Sequence, residues 1–312
     1  MRLRSGCRST KSRRSRSEPA KLSGATGLPV GLHDQLRLND CVNTILSLAA
    51  KKLIPPNFQP RCIDFYAKYK YTIIKFHCPF CEKRFSHLLP AGYYLPVLKE
   101  RQVVGAGYRL HALCPGCGCT DRERLVYLYL KTKTDVFRRP IKLLHVAPEA
   151  NLQRVFKSSP NIDYLDADLD PAKAMIRMDI SDIHYDDNTF DVIVCNHVLE
   201  HVPDDAKAMS ELHRVMKPGG WGIFQVPISQ ILKKTFEEPS IKAPEQREKV
   251  FGQDDHVRIY GGDYVKRLQR AGFRVEVYRP RGDLGFLAIY RYALFLGEEV
   301  FAVHRDKPHA FR

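Results

Sequence analysis

Four cysteines carry the plainest chemistry in this chain. Cys78-x-x-Cys81 and Cys114-x-x-Cys117 form two knuckles separated by 32 residues. Each knuckle can present two thiolates to one ion, and four thiolates suit the closed tetrahedral shell of a structural zinc. Pro79 and Pro115 sit inside the knuckles, and Gly116 and Gly118 flank Cys117, easing a tight backbone turn. The expected metal ligands are therefore Cys78, Cys81, Cys114 and Cys117, with Cys119 as a spare that could exchange with a neighbour. Buried free thiols or a redox pair are the competing readings, and the doubled knuckle tells against the second. Such a module would depend on its ion for stability. It could grip RNA, grip a substrate or brace the next domain.

A second set of chemically capable residues stands at the ends of apolar runs. In open α/β sheets, ligands sit outside the carboxyl ends of the strands. The stretch KLLHVAPEANL, residues 142–152, begins like a buried strand and ends like the start of a helix, with no glycine at the junction. Its end offers His145, Ala147, Pro148 and Glu149. Further strand ends offer Asp168, Asp179 with Ile180, and Asn196 with His197. Asp168 follows Ala147 by 21 residues, a spacing that suits ribose hydroxyls. Helix capping or turn formation is the plainer use of such an Asp. Asp179 could take an adenine amino proton while Ile180 covers the ring face. Pro148 and Glu149 could simply begin the next helix.

The elements that must position these residues can be read from periodicity. IKLLHVA, IDYLDADLD, FDVIVCNHV and WGIFQVPI are strand candidates, and ANLQRVFKS and DYVKRLQRAGF are helix candidates. DDAKAMSELHRVM predicts a helix with Ala206, Met209, Leu212 and Met216 on one face, stopping at Pro218-Gly219-Gly220. FRVEVYR and EEVFAVHR close the chain as strands. The repeated β-then-α order argues for a mostly parallel sheet covered on both faces. Thr120 and Glu123 have capping-box spacing, so a helix should begin there. A polar insertion, KKTFEEPSIKAPEQREKVFGQDDHVRIYGG, reads as a lid or binding loop in which His256 and Arg258 could hold an anionic or hydroxylated acceptor. The alternative is a solvated loop whose charges pair with each other.

The 312 residues carry a formal net charge of +15, much of it concentrated near the start. Residues 1–21 hold eight Arg or Lys against Glu18 alone, with few apolar side chains. Residues 1–30 are therefore expected to be a disordered basic tail, open to an anionic surface such as nucleic acid or membrane. Residues 31–70 should form an amphipathic helix and connector, with Leu38, Cys41, Val42, Ile45, Leu48 and Ala49 on helical spacing. Residues 71–134 form the cysteine module and its linking helix, and 135–312 the α/β domain. No apolar run approaches the roughly 18 residues of a membrane span. Nine cysteines without a secretory signal argue for a reducing compartment. The expected location is intracellular, cytoplasmic by default, with membrane-surface association open through the amphipathic helix.

DISDIHYDDNTFDVIVCNHVLEHVPDDAKAMSELHRVMKPGGWGIFQVP, with FDVIVCNHVLEHV and ELHRVMKPGGW its most specific pieces, resembles class I S-adenosylmethionine-dependent methyltransferases of the type-11 kind. A subgroup with a cysteine ribbon, an LHVAPE first motif and a late FGQDDHVRIYGGDY segment is more similar still, over about Cys78 to Arg305. The resemblance implies an α/β fold: a seven-stranded, mostly parallel Rossmann-like sheet with helices on both faces, preceded by a small zinc ribbon. It implies S-adenosylmethionine as methyl donor, with zinc in the ribbon. The donor contacts would be His145, Ala147, Pro148, Glu149, Asp168, Asp179, Ile180 and Asn196. Most such enzymes carry an acidic residue and glycines in the first motif; here His145 and Ala147-Pro148-Glu149 stand there.

Methyl transfer requires the acceptor to be positioned and, where needed, deprotonated. Asn196, His197 and His256 are the catalytic candidates, with Glu200, His201 and Asp255 as further bases. The acceptor could be RNA, a lipid-linked or small molecule, or protein. The competing function is a methyltransferase-fold protein that has lost catalysis and serves as a nucleic-acid-binding or interaction module.

Overall fold

The computed structural model describes residues 76–307. The tail expected over 1–30 and the helix and connector over 31–70 lie outside them.

The first module is built from short strands. β1 (Phe76–His77), β2 (Arg84–Phe85) and β3 (Leu89–Ala91) lead through α1 (Pro96–Glu100) and β4 (Val103–Val104) to β5 (Arg109–Leu113). β1 pairs antiparallel with β2, and β3 with β5. α2 (Asp121–Lys133) then begins at the predicted capping box. Thr120 Oγ1 accepts the Glu123 N–H at 3.2 Å, and the Glu123 carboxylate accepts the Thr120 N–H at 2.8 Å.

The α/β part follows as β6 (Ile141–Val146), α3 (Ala150–Lys157), β7 (Ile162–Asp168), β8 (Ile176–Arg177), β9 (Phe190–Asn196), α4 (Asp205–Val215) and β10 (Met216–Gln225). Next come β11 (Ile228–Ser229), β12 (Phe236–Glu237), α5 (Pro244–Phe251), β13 (Arg258–Ile259), α6 (Tyr264–Arg270) and β14 (Arg274–Tyr278). The short α7 (Pro280–Asp283) and α8 (Phe286–Arg291) lead to β15 (Val300–His304).

Seven strands form one mixed sheet in the order β14-β15-β10-β9-β6-β7-β8. β10, β9, β6, β7 and β8 pair parallel; β15 runs antiparallel to both its neighbours. β6 and β9 are buried almost throughout, as strands sandwiched between two helical layers must be. Leu144 and Val146 face one layer, with Leu212 of α4 and Leu268 of α6. Leu143 faces the other, with Leu125 of α2, Leu152 and Phe156 of α3, and Ile289 of α8. The helix that leaves the cysteine module is thus part of the sheet's own cover.

Two expectations need correction. α4 ends at Val215, and Met216 already pairs with Phe190 in β10. Pro218-Gly219-Gly220 form a register irregularity inside that strand rather than a helix stop. Ala208 and Val215 share the buried face with Met209 and Leu212, whereas Ala206 is exposed. The polar insertion is not a solvated loop either. β12 and β13 pair across it, and α5 packs Phe251 against Leu98 and Val103 of the first module. No helix among the described residues is long and apolar enough to cross a membrane.

Candidate functional site at the strand ends

The chain runs from β6 outward to β7 and β8, then returns to β9 on the other side. The carboxyl ends of β6 and β9 therefore border the crevice where such sheets bind ligands. Both ends turn through left-handed backbone: Ala147 has φ 47° and His197 φ 56°. Ala147 thus adopts a conformation that usually calls for glycine, at a cost of roughly 1–2 kcal/mol for a residue with a Cβ. Non-glycine residues held this way cluster at functional sites.

One carboxylate spans the crevice. His145 Nε2 lies 2.7 Å from Glu149 Oε2, and Asn196 Nδ2 donates to Glu149 Oε1 at 3.0 Å. The Tyr164 hydroxyl is 3.0 Å from His145 Nδ1. Burial, then the negative charge of Asp166, holds the Tyr164 hydroxyl well above its ordinary value, so it stays protonated and can donate. Asp166 is a second acceptor for the Tyr164 hydroxyl, and the 2.7 Å approach of Nε2 to the Glu149 carboxylate is what ties His145 to Glu149. His145 is fully buried against Phe156, whereas Glu149 is 25% exposed and half-buried Pro148 leads to it. Of the predicted donor residues, His145, Ala147, Pro148, Glu149 and Asn196 are therefore brought together.

Asp168 ends β7, half-buried, and its Oδ1 accepts the Asp170 N–H at 2.8 Å. Leu169 beside it is 62% exposed, an apolar side chain at the strand end that the sequence does not single out. Asp179 accepts the Ser181 N–H at 2.8 Å in a turn, and Ile180 is buried in the core.

His197 meets the first module. Arg122 of α2 donates through Nη1 to His197 Nδ1 at 3.3 Å and also to the Gly105 carbonyl. Burial, then the Arg122 charge, holds His197 well below its ordinary value, so the ring is neutral. With Arg122 donating to Nδ1, the ring proton belongs on Nε2, which is buried without a partner. Glu123 accepts from Asn151 of α3 at 3.2 Å, and burial raises its carboxyl. Glu298, buried near Arg122 and Arg109, is pushed up to about 7 by burial. Arg122, Glu123 and Glu298 were missed, because nothing local connects them to β9.

The predicted catalytic His256 lies beside Glu200 and His201, and Glu200 Oε1 is 3.4 Å from His197 Nδ1. Burial pushes the His256 imidazole down to about 3. Arg258 does not face an acceptor. It is buried, donating to the carbonyls of Leu199 (2.7 Å), Val202 and Pro203 (2.8 Å) and to Glu237 at 2.7 Å. The guanidinium clamps the turn after β9, because five donors on a planar fork can satisfy several inward carbonyls at once.

The cysteines converge as expected. Ligand sulfurs of Cys78, Cys81, Cys114 and Cys117 all lie within 4.8 Å of one another. Cys78–Cys117 is 3.6 Å and Cys81–Cys114 3.8 Å, against about 3.8 Å for a tetrahedron with 2.3 Å metal–sulfur bonds. The donor set fits a metal. Cys119 is close enough to compete: its sulfur is 3.3 Å from Cys78 and lowers that thiol's pKa. Arg124 fixes the module onto the sheet. Fully buried, it donates to the carbonyls of His111, Ala112 and Cys119 on one side and Tyr292 and Ala293 on the other.

Residues 147–224 match the methyltransferase domain family. This methyltransferase segment begins at the left-handed Ala147 and ends within β10. The ubiquinone/menaquinone biosynthesis C-methyltransferase UbiE of Francisella philomiragia is 32% identical over 123 residues, 35% of this chain and 49% of that protein. The demethylmenaquinone methyltransferase of Staphylococcus epidermidis is 41% identical over 46 residues, 15% of this chain and 19% of that protein. The chain thus spans about half the length, or less, of these curated relatives. Among solved structures, an S-adenosylmethionine-dependent methyltransferase from Mesorhizobium loti aligns with a TM-score of 0.39 at 16% identity, over 57% of this chain and 97% of that one. A SAM-dependent methyltransferase from Archaeoglobus fulgidus aligns with a TM-score of 0.39 at 14% identity, over 59% and 94%.

Proposed function

We infer that this chain transfers a methyl group from S-adenosylmethionine, with the donor lying across the ends of β6, β7 and β9. The observation that carries the reading is the Glu149 carboxylate tying His145, just before the matched segment, to Asn196 inside it. A carboxylate offers about four lone-pair sites. Glu149, already accepting from His145 and Asn196, keeps room for the ammonium of a methionine moiety. Asp168 takes the ribose hydroxyls, Asp179 an adenine amino proton, and the exposed Leu169 a ring face; Ile180, buried in the core, supports the Asp179 turn from below. When bound, S-adenosylmethionine supplies an electrophilic methyl group on a sulfonium.

The acceptor approaches His197. With Arg122 on its Nδ1, His197 acts as a hydrogen-bond donor through Nε2 rather than as a base. Arg122 Nε is also buried without a partner. Two such donors suit an acceptor oxygen that gains negative charge as it reacts. That supports a phenolic or enolisable small molecule, in keeping with the quinone chemistry named for the UbiE relatives.

Cys78, Cys81, Cys114 and Cys117 would hold a structural zinc, which would supply folding energy to the ribbon. The ribbon braces the site through Arg122, Glu123 and Arg124. A thiol-rich module of this kind supports an intracellular, reducing location.

Calorimetry of the purified full chain with S-adenosylhomocysteine tests the reading. A saturable single-site isotherm is expected. A folded chain that gives no binding, and instead binds RNA with strong salt dependence, would favour an inactive interaction module.

A further inference from the structure

We propose that Glu200, His201 and His256 form a second metal site, for a divalent cation of the zinc class, distinct from the cysteine cluster and with a coordination position left open. One ligating atom from each of the three lies within 4.8 Å of the other two. Glu200 and His256 are almost fully buried, and His201 is 31% exposed, so the site has a covered floor and a mouth.

The orphaned atoms point the same way. Glu200 Oε2 and His256 Nε2 are buried with no partner among the described residues. Leaving a buried polar atom unsatisfied costs about 1–3 kcal/mol, so two in one cluster need an explanation. A cation between them answers both at once. Replacing either group by an apolar side chain would have been the simpler way to fill a core.

The surrounding groups orient both imidazoles as ligands. His201 Nδ1 lies 3.1 Å from an Asp255 carboxylate oxygen. The Phe251 backbone lies against the His256 ring and favours its protonated form, and Nε2 is the buried ring nitrogen without a partner. A carboxylate or carbonyl behind each histidine is the usual support of a metal-binding imidazole. The two rings stand edge to face with centroids 4.7 Å apart. The backbone is held as well: Val257 N–H donates to the Glu200 carbonyl at 3.0 Å, and Arg258 clamps the Leu199–Pro203 turn.

The donor set defines the ion. Two imidazoles and one carboxylate suit a borderline divalent cation such as zinc, and three protein ligands leave a fourth position for water or a substrate oxygen. The four thiolates of the ribbon form a closed shell instead. Glu200 Oε1 is 3.4 Å from His197 Nδ1, so the proposed ion borders the acceptor side of the crevice. The site stands on its own ligands and does not require the methyl-donor reading.

Metal quantification on the purified full chain tests it, with Co²⁺ titration as the optical probe. The deciding quantity is the metal equivalent lost in His256→Gln, whatever the cysteine cluster holds. Wild type should carry one more equivalent than His256→Gln or Glu200→Gln, and Cys114→Ser should keep that equivalent. Co²⁺ entering it should show weak visible bands without thiolate charge transfer. If a variant fails to fold, the titration of wild-type protein decides alone. Overturning results are a His256→Gln variant with wild-type metal content, or wild-type protein whose bound Co²⁺ shows only thiolate charge-transfer spectra.

Discussion

Glu149 and Asn196 lie on opposite sides of the central crevice, and the 3.0 Å hydrogen bond between their side chains joins the end of β6 to the end of β9. That bond, with its partner from His145, stands where a nucleotide-binding sheet would use a glycine-rich loop. On the proposed reading the donor, S-adenosylmethionine, carries no phosphate, so a glycine-rich cradle is not required there.

The turn that makes the bridge possible is strained at Ala147. Glycine relieves the Cβ clash but adds unfolded-state entropy, so Ala147→Gly should stay within about 1 kcal/mol of wild type in urea denaturation. Ala147→Val should lose about 2 kcal/mol or more, because a β-branched residue is a genuine outlier at φ 47°.

Arg124 holds five carbonyls from two distant segments. Arg124→Ala should destabilise the protein by at least about 3 kcal/mol, since it strands several buried acceptors. Arg124→Lys should recover little, because an ammonium cannot reproduce the planar fork. Urea midpoints of the two variants check both statements.

Glu298 should make stability depend on pH. Its folded pKa, raised to about 7 by burial, lies above its unfolded value. Arg122 and Arg109 oppose that rise, and Asp121 and Glu299 add to it. The folded chain therefore holds the proton more tightly, so this contribution is full below the unfolded pKa and is lost as pH rises through about 7. Its size is on the order of 3 kcal/mol. The wild type should lose stability relative to Glu298→Gln between about pH 4.5 and 7, and the two curves should run parallel above that window. Parallel denaturation curves across the whole range would contradict it.

Cys114→Ser should lose one metal equivalent per chain and lower the melting temperature, with chelator treatment of wild type giving at least that shift. Cys119 lies 3.3 Å from Cys78, so Cys117→Ser should be milder than Cys114→Ser if the spare thiol can enter the shell. Metal analysis with calorimetric melting reads both.

Much of this was legible in the sequence because its signals are local. The paired knuckles, the Thr120–Glu123 capping box and the buried runs of β6 and β9 each declare themselves within a few residues. The strand ends then follow, and with them His145, Glu149, Asp168 and Asn196. What stayed hidden depends on contacts far apart in the chain. Arg122 reaches His197 across 75 residues, and Arg124 reaches Ala293 across 169. Arg258 looked like an exposed ligand because its neighbours are polar. It is buried because the carbonyls of a tight turn, invisible in sequence, need its donors. Met216 was read into α4 because its side chain keeps helical spacing, whereas its backbone had already joined β9.

The central claim is that Glu149 anchors the methionine end of the donor. Calorimetric titration of S-adenosylhomocysteine into wild type and Glu149→Ala tests it most directly. Loss of one charge-assisted contact is worth about 1.5–3 kcal/mol, so affinity should fall roughly 10- to 100-fold in the variant. Equal affinity in the two folded proteins would contradict the account.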